Sequence, residues 1–198
     1  MLKIYHVRGT RSIRPIWLCY ELNLPVDIET IDFSTPYRNS EEWRAISPTG
    51  KVPVLTDGPM TMFESGAMVD YILERYSEGR LCPETGTAEK AIHQQWCWFA
   101  EATLSRPVGF NRILKSHHED VAILVEDAKW KFRKCLDALE SALVDGEFIL
   151  GTKFTAADIM IGSSLGFVDD LVDGKYPYAR AYLDKLRTRE ACVRAMNA

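Results

Sequence analysis

The chain has 198 residues, 46% hydrophobic and 26% charged, with a net charge of −4. That length and balance specify a globular protein with one large or two small cores, and they exclude a disordered or fibrous chain. An acidic balance without a basic run argues against nucleic acid as a partner, and no window approaches the ~20 apolar residues of a membrane span. The first residues, Met1 to His6, lack the apolar core and cleavage pattern of a targeting segment, so a cytoplasmic location is expected. The five cysteines, Cys19, Cys82, Cys97, Cys135 and Cys192, are widely spaced and form no C-x-x-C pair. Neither a disulfide framework nor a zinc site is indicated, and reduced core thiols are expected.

Residues 2 to 7 read as a strand with Leu2, Ile4 and Tyr5 offered to a core. The turn Arg8-Gly9-Thr10-Arg11-Ser12 leads into a helix from Ser12 to Leu22, with Pro15 tolerated in its first turn. Asn23-Leu24-Pro25 stops it, and Val26 to Ile31 alternates as a second strand, completing a strand-helix-strand unit with a right-handed connection. A polar stretch and a short helical turn over Glu41 to Ile46 follow. Val52 to Leu55 and Met60 to Phe63 then form a hairpin about Asp57-Gly58-Pro59, with Pro53 opening its first strand. A cis bond before Pro53 would leave the Val52 backbone free to pair with an extended peptide. Glu64 and Ser65 close the hairpin and open a helix to Tyr76. A hydroxyl at a helix start suits a carboxylate ligand, and the plainer reading is a hairpin followed by an ordinary Ser N-cap.

Residues 79 to 87 hold two glycines and a proline without periodicity and read as a linker. Beyond it the pattern is helical. Ile92, Trp96, Phe99, Thr103 and Leu104 form a stripe over residues 88 to 115, with Pro107 set to kink or end it. Residues 119 to 143 carry Val121, Leu124, Val125, Ala128, Phe132, Cys135, Leu136, Leu139 and Leu143 at helical spacing. Thr155 and Asp158 form a capping box before a helix that is apolar on nearly every side, and two shorter helices over Pro177 to Leu186 and Thr188 to Met196 finish the chain. His117-His118 has no third ligand nearby, so no metal is expected. The fold class is therefore α+β: a small mixed sheet with helices over 1–78, a linker, and an all-helical domain over 88–198.

Val52-Pro53, Glu64-Ser65 and Thr155-x-x-Asp158, in this order and at these separations, resemble the cytosolic glutathione transferase superfamily across the whole chain. The resemblance implies a thioredoxin-like first domain with a four-stranded sheet, glutathione as co-substrate, a hydrophobic electrophile as second substrate, and a homodimer. Carried over residue by residue, it implies that Val52 pairs with the cysteinyl backbone beside cis-Pro53, that Glu64 and Ser65 hold the γ-glutamyl group, and that Lys51 lies next to them. The co-substrate pocket would draw on Val7, Arg8, Trp98, Glu101, Ala102, Ser105, Arg106 and Phe110.

A thiol of pKa near 8.5 must be ionised to act, and a hydroxyl near the positive end of the first helix achieves this by charge-assisted hydrogen bonding. Thr10, Ser12 and Tyr5 are the available hydroxyls. In serine-type members of the superfamily the catalytic hydroxyl lies four or five residues before a basic residue, and counting back from Arg14 reaches Thr10 or Gly9. Thr10 is the expected catalytic group and Ser12 the second candidate. Arg8, Arg11 and Arg14 crowd this turn, awaiting either an anionic ligand or carboxylates across a dimer interface. Conjugation of an electrophile or peroxide reduction follows from such a site. A non-catalytic interaction module and a glutathione-dependent isomerase or lyase are the alternatives.

Overall fold

Strict alternation along β1 (Leu2–His6) sets the first layer of the fold: Leu2, Ile4 and His6 are buried, while Lys3 and Tyr5 are half-buried on the opposite face. The computed structural model describes residues 1–114 and 122–198. They divide into two compact units, Met1–Arg80 with Arg189–Ala198, and Leu81–Thr188.

In the first unit β1 lies between β2 (Val26–Thr30) and β3 (Val54–Asp57), with β4 (Met60–Phe63) at the edge, in the order β2-β1-β3-β4. β1 and β2 are parallel, which demands the crossover helix α1 (Ile13–Glu21), whereas β1-β3 and β3-β4 are antiparallel. The sheet is mixed, as expected. β3 starts at Val54 rather than Val52, because Pro53 has no N–H to give the ladder. Ser34 and Ser40 cap the short helices α2 (Thr35–Arg38) and α3 (Glu41–Ile46) by accepting the Tyr37 and Trp43 amides. Trp43 is fully buried edge-on to Tyr5, with ring centroids 5.7 Å apart, so Tyr5 serves packing. α4 (Ser65–Tyr76) buries Met68, Val69, Ile72 and Leu73 and packs against α1.

The second unit is helical: α5 (Ala88–Trp98), a π-helical turn (Phe99–Leu104), α6 (Ser105–Leu114), α7 (Ala122–Ala142), α8 (Ala156–Gly166), a 3-10 turn (Asp169–Leu171) and α9 (Pro177–Arg187). Two expectations shift here. The buried stripe of α5 and the π turn runs through His93, Ala100 and Leu104, while Ile92 is exposed. The break comes over Phe99–Leu104, on the N-terminal side of Pro107: α6 continues that turn without a gap, and the proline ring and missing N–H fall on carbonyls within it. Leu124 is also exposed, although the stripe from Ala128 to Leu143 is buried as expected. Val121, the Val125 side chain and His117-His118 lie outside what is described. α8 is buried throughout, and its capping box is present: the Asp158 carboxylate accepts the Thr155 N–H at 2.7 Å, the Ile149 N–H at 2.9 Å and the Tyr182 hydroxyl at 3.0 Å.

The last helix, α10 (Glu190–Met196), belongs to the first unit, not to the helical one in which the sequence pattern places it. Glu21, nearly buried on α1, is the reason. It takes a two-pronged ion pair from Arg189 at 2.6 and 2.7 Å and the indole N–H of Trp17 at 2.9 Å, and Arg194 lies over the Tyr20 ring at 4.1 Å.

Asp158→Ala strands two buried amides and the Tyr182 hydroxyl, so urea unfolding should show a loss of about 3 to 5 kcal/mol. His93 gives a pH dependence. Burial first, then Lys90, lowers its pKa to about 4. The unfolded chain takes up that proton near the usual value of about 6.5, so stability is full above that pH and falls as pH drops toward about 4, by about 1.4 kcal/mol per unit. His93→Leu should flatten most of this slope in unfolding curves compared between about pH 7 and about pH 5, leaving the smaller contribution of His6, which burial also lowers.

Candidate active site

Where β1 ends, the chain turns through Gly9, whose φ of 74° lies in the left-handed region, and the turn folds the side chains of Thr10 and Ser12 back toward the strand. The Thr10 hydroxyl lies 2.7 Å from the Val7 carbonyl, to which it can donate, and 2.7 Å from the Ser12 hydroxyl. Ser12 in turn lies 2.6 Å from Nδ1 of His6, and Nε2 of His6 lies 3.1 Å from the Ala198 carbonyl oxygen. Both His6 and Ser12 are buried, whereas Thr10 is half-buried at the outer end of the row. Ser12 precedes α1 but makes no side-chain cap bond; its backbone is already helical, and its hydroxyl is used sideways, toward His6 and Thr10.

Burial lowers the His6 pKa, opposed by its bond to the Ala198 carbonyl. A carbonyl can only accept, so Nε2 carries the ring proton and Nδ1 of the neutral imidazole is an acceptor. Ser12 therefore donates to His6. Sequence reasoning missed His6, although the signal was present: it falls in phase with Leu2 and Ile4 on the buried face of β1.

On the other side of the sheet centre, Ser65 opens α4. Glu64 occupies the cap position without a cap bond, and the buried Ser65 hydroxyl accepts from the fully buried Arg14 guanidinium at 3.0 Å instead of capping the helix. Glu64 holds φ 76° and ψ 108°, a conformation uncommon for any residue with a side chain. The Val52–Pro53 bond is cis. Among the described residues Val52 has no backbone hydrogen-bond partner. Lys51 is exposed, with its own amide and carbonyl tied to the Ser47 hydroxyl at 3.0 and 2.7 Å. Gly50, with φ 64°, is obligatory in this loop because a Cβ there would meet the Arg38 carbonyl at 2.8 Å.

The registers bring these pieces together. β1 pairs Tyr5 with Val54, and β3 pairs Val54 with Phe63. Tyr5, Val54 and Phe63 thus lie side by side at one end of the sheet, and the segments that leave them carry Val7, Val52 and Ser65. Val7 is the residue whose carbonyl Thr10 reaches, so Thr10, Val52, Ser65 and the cation behind Ser65 share one end of the sheet.

The expected co-substrate residues are divided. Val7 and Arg8 belong to the first unit, where Arg8 donates to the Asn197 side chain at 3.3 Å. Trp98, Ala102, Ser105 and Arg106 belong to the second. Trp98 and Ala102 are exposed, and Ser105 is buried with its hydroxyl spent on the Ala100 carbonyl at 2.8 Å, so it offers nothing to a ligand. Arg106 borders a cavity of about 710 Å³ between α6 and α7, together with Phe99, Phe110, Leu124 and Trp130. Among the described residues no group of three or more His, Cys, Asp or Glu side chains could hold a metal ion.

Comparison with known proteins agrees with this layout. Residues 1–74 match the family described as Glutathione S-transferase, N-terminal domain, and residues 124–185 match Glutathione S-transferase, C-terminal domain. Glutathione S-transferase 3 of Schizosaccharomyces pombe is 27% identical over 171 residues, 80% of this chain and 70% of that protein. Glutathione S-transferase F12 of Arabidopsis thaliana is 27% identical over 87% of this chain and 84% of its own length. A crystal structure of the glutathione transferase URE2P8 from Phanerochaete chrysosporium with oxidized glutathione shares the fold at a TM-score of 0.89, with 23% identity over 99% of this chain and 93% of that one. With both domains of one family matched in order around this sheet and helical unit, the chain belongs to the cytosolic glutathione transferase superfamily.

Proposed function

We propose that the first unit binds glutathione along the sheet end between Val7 and Ser65 and lowers the pKa of its thiol, so that the thiolate attacks a hydrophobic electrophile. The observation that carries this reading is the Ser65 hydroxyl seated on the buried Arg14 at the start of α4, across from an unpaired Val52 backbone. An anionic γ-glutamyl carboxylate suits the first: a helix N-terminus, a hydroxyl and a cation act together there. A peptide backbone suits the second. In this reading Glu64 receives the γ-glutamyl amino group, Lys51 flanks the site, and Thr10 donates to the sulfur from the half-buried end of its row. Ser12 supports Thr10 from behind and has no direct contact with the thiol.

In the first unit Val7 and Arg8 border the electrophile. Exposed Trp98, Phe110, Leu124 and Trp130 make a larger apolar surface than a lone helical unit needs, which supports a homodimer. Five free cysteines suit a reducing cytoplasm, and among the described residues no helix is long and apolar enough to cross a membrane.

Immobilised glutathione should retain the protein and release it to free glutathione; passage through the column unretained rejects the reading. Thr10→Ala should lower kcat with a chlorinated aromatic electrophile by about a hundredfold while glutathione affinity changes only a few-fold, as expected for a donor that acts on developing charge. Glu64→Gly separates ligand from fold. Relief of the positive φ should leave stability unchanged or raised by up to about 1 kcal/mol, and glutathione affinity by calorimetry should fall about tenfold.

A further inference from the structure

The row Thr10, Ser12, His6 is more than the thiol site above requires. One hydroxyl suffices to donate to a sulfur, and Thr10 could be oriented by the Val7 carbonyl alone. Instead, two further groups are buried behind it in an unbroken line: Thr10 to Ser12 at 2.7 Å, Ser12 to Nδ1 of His6 at 2.6 Å, and Nε2 of His6 to the Ala198 carbonyl at 3.1 Å. The Ala198 carbonyl fixes the proton on Nε2, so Nδ1 accepts and Ser12 donates to it. Thr10 has one hydrogen and two acceptors at 2.7 Å, the Val7 carbonyl and the Ser12 hydroxyl, and in the relay that hydrogen turns from the carbonyl to Ser12. The line thus starts at the half-buried hydroxyl that faces the site and ends on an empty basic nitrogen.

We propose that His6 takes up the proton of the glutathione thiol through Thr10 and Ser12, so that the thiolate forms against an imidazolium inside the protein and no proton is released to solvent. The inference rests on the glutathione site assigned above. The step balances. The S–H bond breaks and its proton passes to the Thr10 oxygen, the proton that Thr10 held passes to Ser12, and the proton of Ser12 forms a new N–H bond at Nδ1. Net charge is unchanged. In the product state each donor has reversed: Nδ1–H donates to Ser12, Ser12 to Thr10, and Thr10 to the sulfur anion.

His6 touches no substrate atom and is a positioning residue that works through two hydroxyls. A buried, neutral imidazole is the correct resting state for a proton acceptor, since one already protonated could take nothing. Charged side chains on the elements around it are Asp27 and Glu29 on β2, Arg8 and Arg11 in the turn, Arg14 and Glu21 on α1, and Glu190 and Arg194 on α10. The His6 titration is governed by burial and by the Ala198 bond. A thiolate formed in the site supplies a compensating charge, which ties protonation of His6 to arrival of the thiol.

His6→Asn tests this, because an amide oxygen near the Nδ1 position can still accept from Ser12 but cannot hold a proton. Glutathione binding is measured by calorimetry in two buffers of different ionisation enthalpy, which counts the protons released, alongside the ultraviolet absorbance of the bound thiolate. The wild-type chain should form the thiolate with well under one proton released per site. His6→Asn should release about one, and its thiolate should form about one pH unit higher, seen as a roughly tenfold lower kcat/KM below neutral pH that converges with wild type in alkali. Thiolate formation with a full proton released by the wild-type chain overturns the relay and leaves the glutathione site standing. Absence of binding overturns the site and the relay with it. Should His6→Asn fail to fold, the wild-type proton count decides alone.

Discussion

An imidazole that gives one nitrogen to a carbonyl can only receive at the other. In this protein that rule governs the end of the central strand. His6 is committed by the Ala198 carbonyl on one side, and on its other side the Ser12 hydroxyl must donate to it, which leaves a Ser12 lone pair facing Thr10. α1 begins where this row ends. Ser12 gives up its cap role to serve the row, and the helix starts without a side-chain cap. A local stabilisation of typically about 1 kcal/mol is forgone at a place where the fold would normally take it, as happens at functional sites.

The second commitment lies across the sheet end. Arg14 is wholly inside the protein, and a buried guanidinium needs oxygen atoms around it. One of them is the hydroxyl of Ser65, 51 residues away, at the first position of α4. Two helices are thereby joined through a hydrogen bond rather than through apolar packing alone. A positive charge is also fixed behind the amide-rich start of α4, where it reinforces the helix dipole.

Much of this could be read from the chain before the structure. The hairpin was visible because Asp57-Gly58-Pro59 carries turn chemistry at a local spacing, and the capping box because Thr155 and Asp158 lie three residues apart. Val52, Glu64 and Ser65 were singled out by residue type at element ends. The missing parts are those in which burial contradicts polarity. His6 and His93 occupy inward positions that apolar neighbours, Tyr5 and Ile92, are expected to fill, and Arg14, expected to await an anionic ligand or carboxylates across a dimer interface, is wholly buried. Spacing alone marks His6 as inward; its partner, far away in sequence, and the desolvation of His93 and Arg14 are in no local pattern. The π-helical turn over Phe99–Leu104 lies just ahead of Pro107, and only its length and type escape the sequence.

The pairing of Glu21 with Arg189 has a consequence for how the protein comes into being. A ribosome delivers the four strands and α1 long before it delivers α10, and the entire helical unit is made in between. Until Arg189–Ala198 emerge, the Glu21 carboxylate on α1 lacks its cation, and His6 lacks the carbonyl that sets its proton. The first-made half of the chain is therefore completed only after the helical unit has been made.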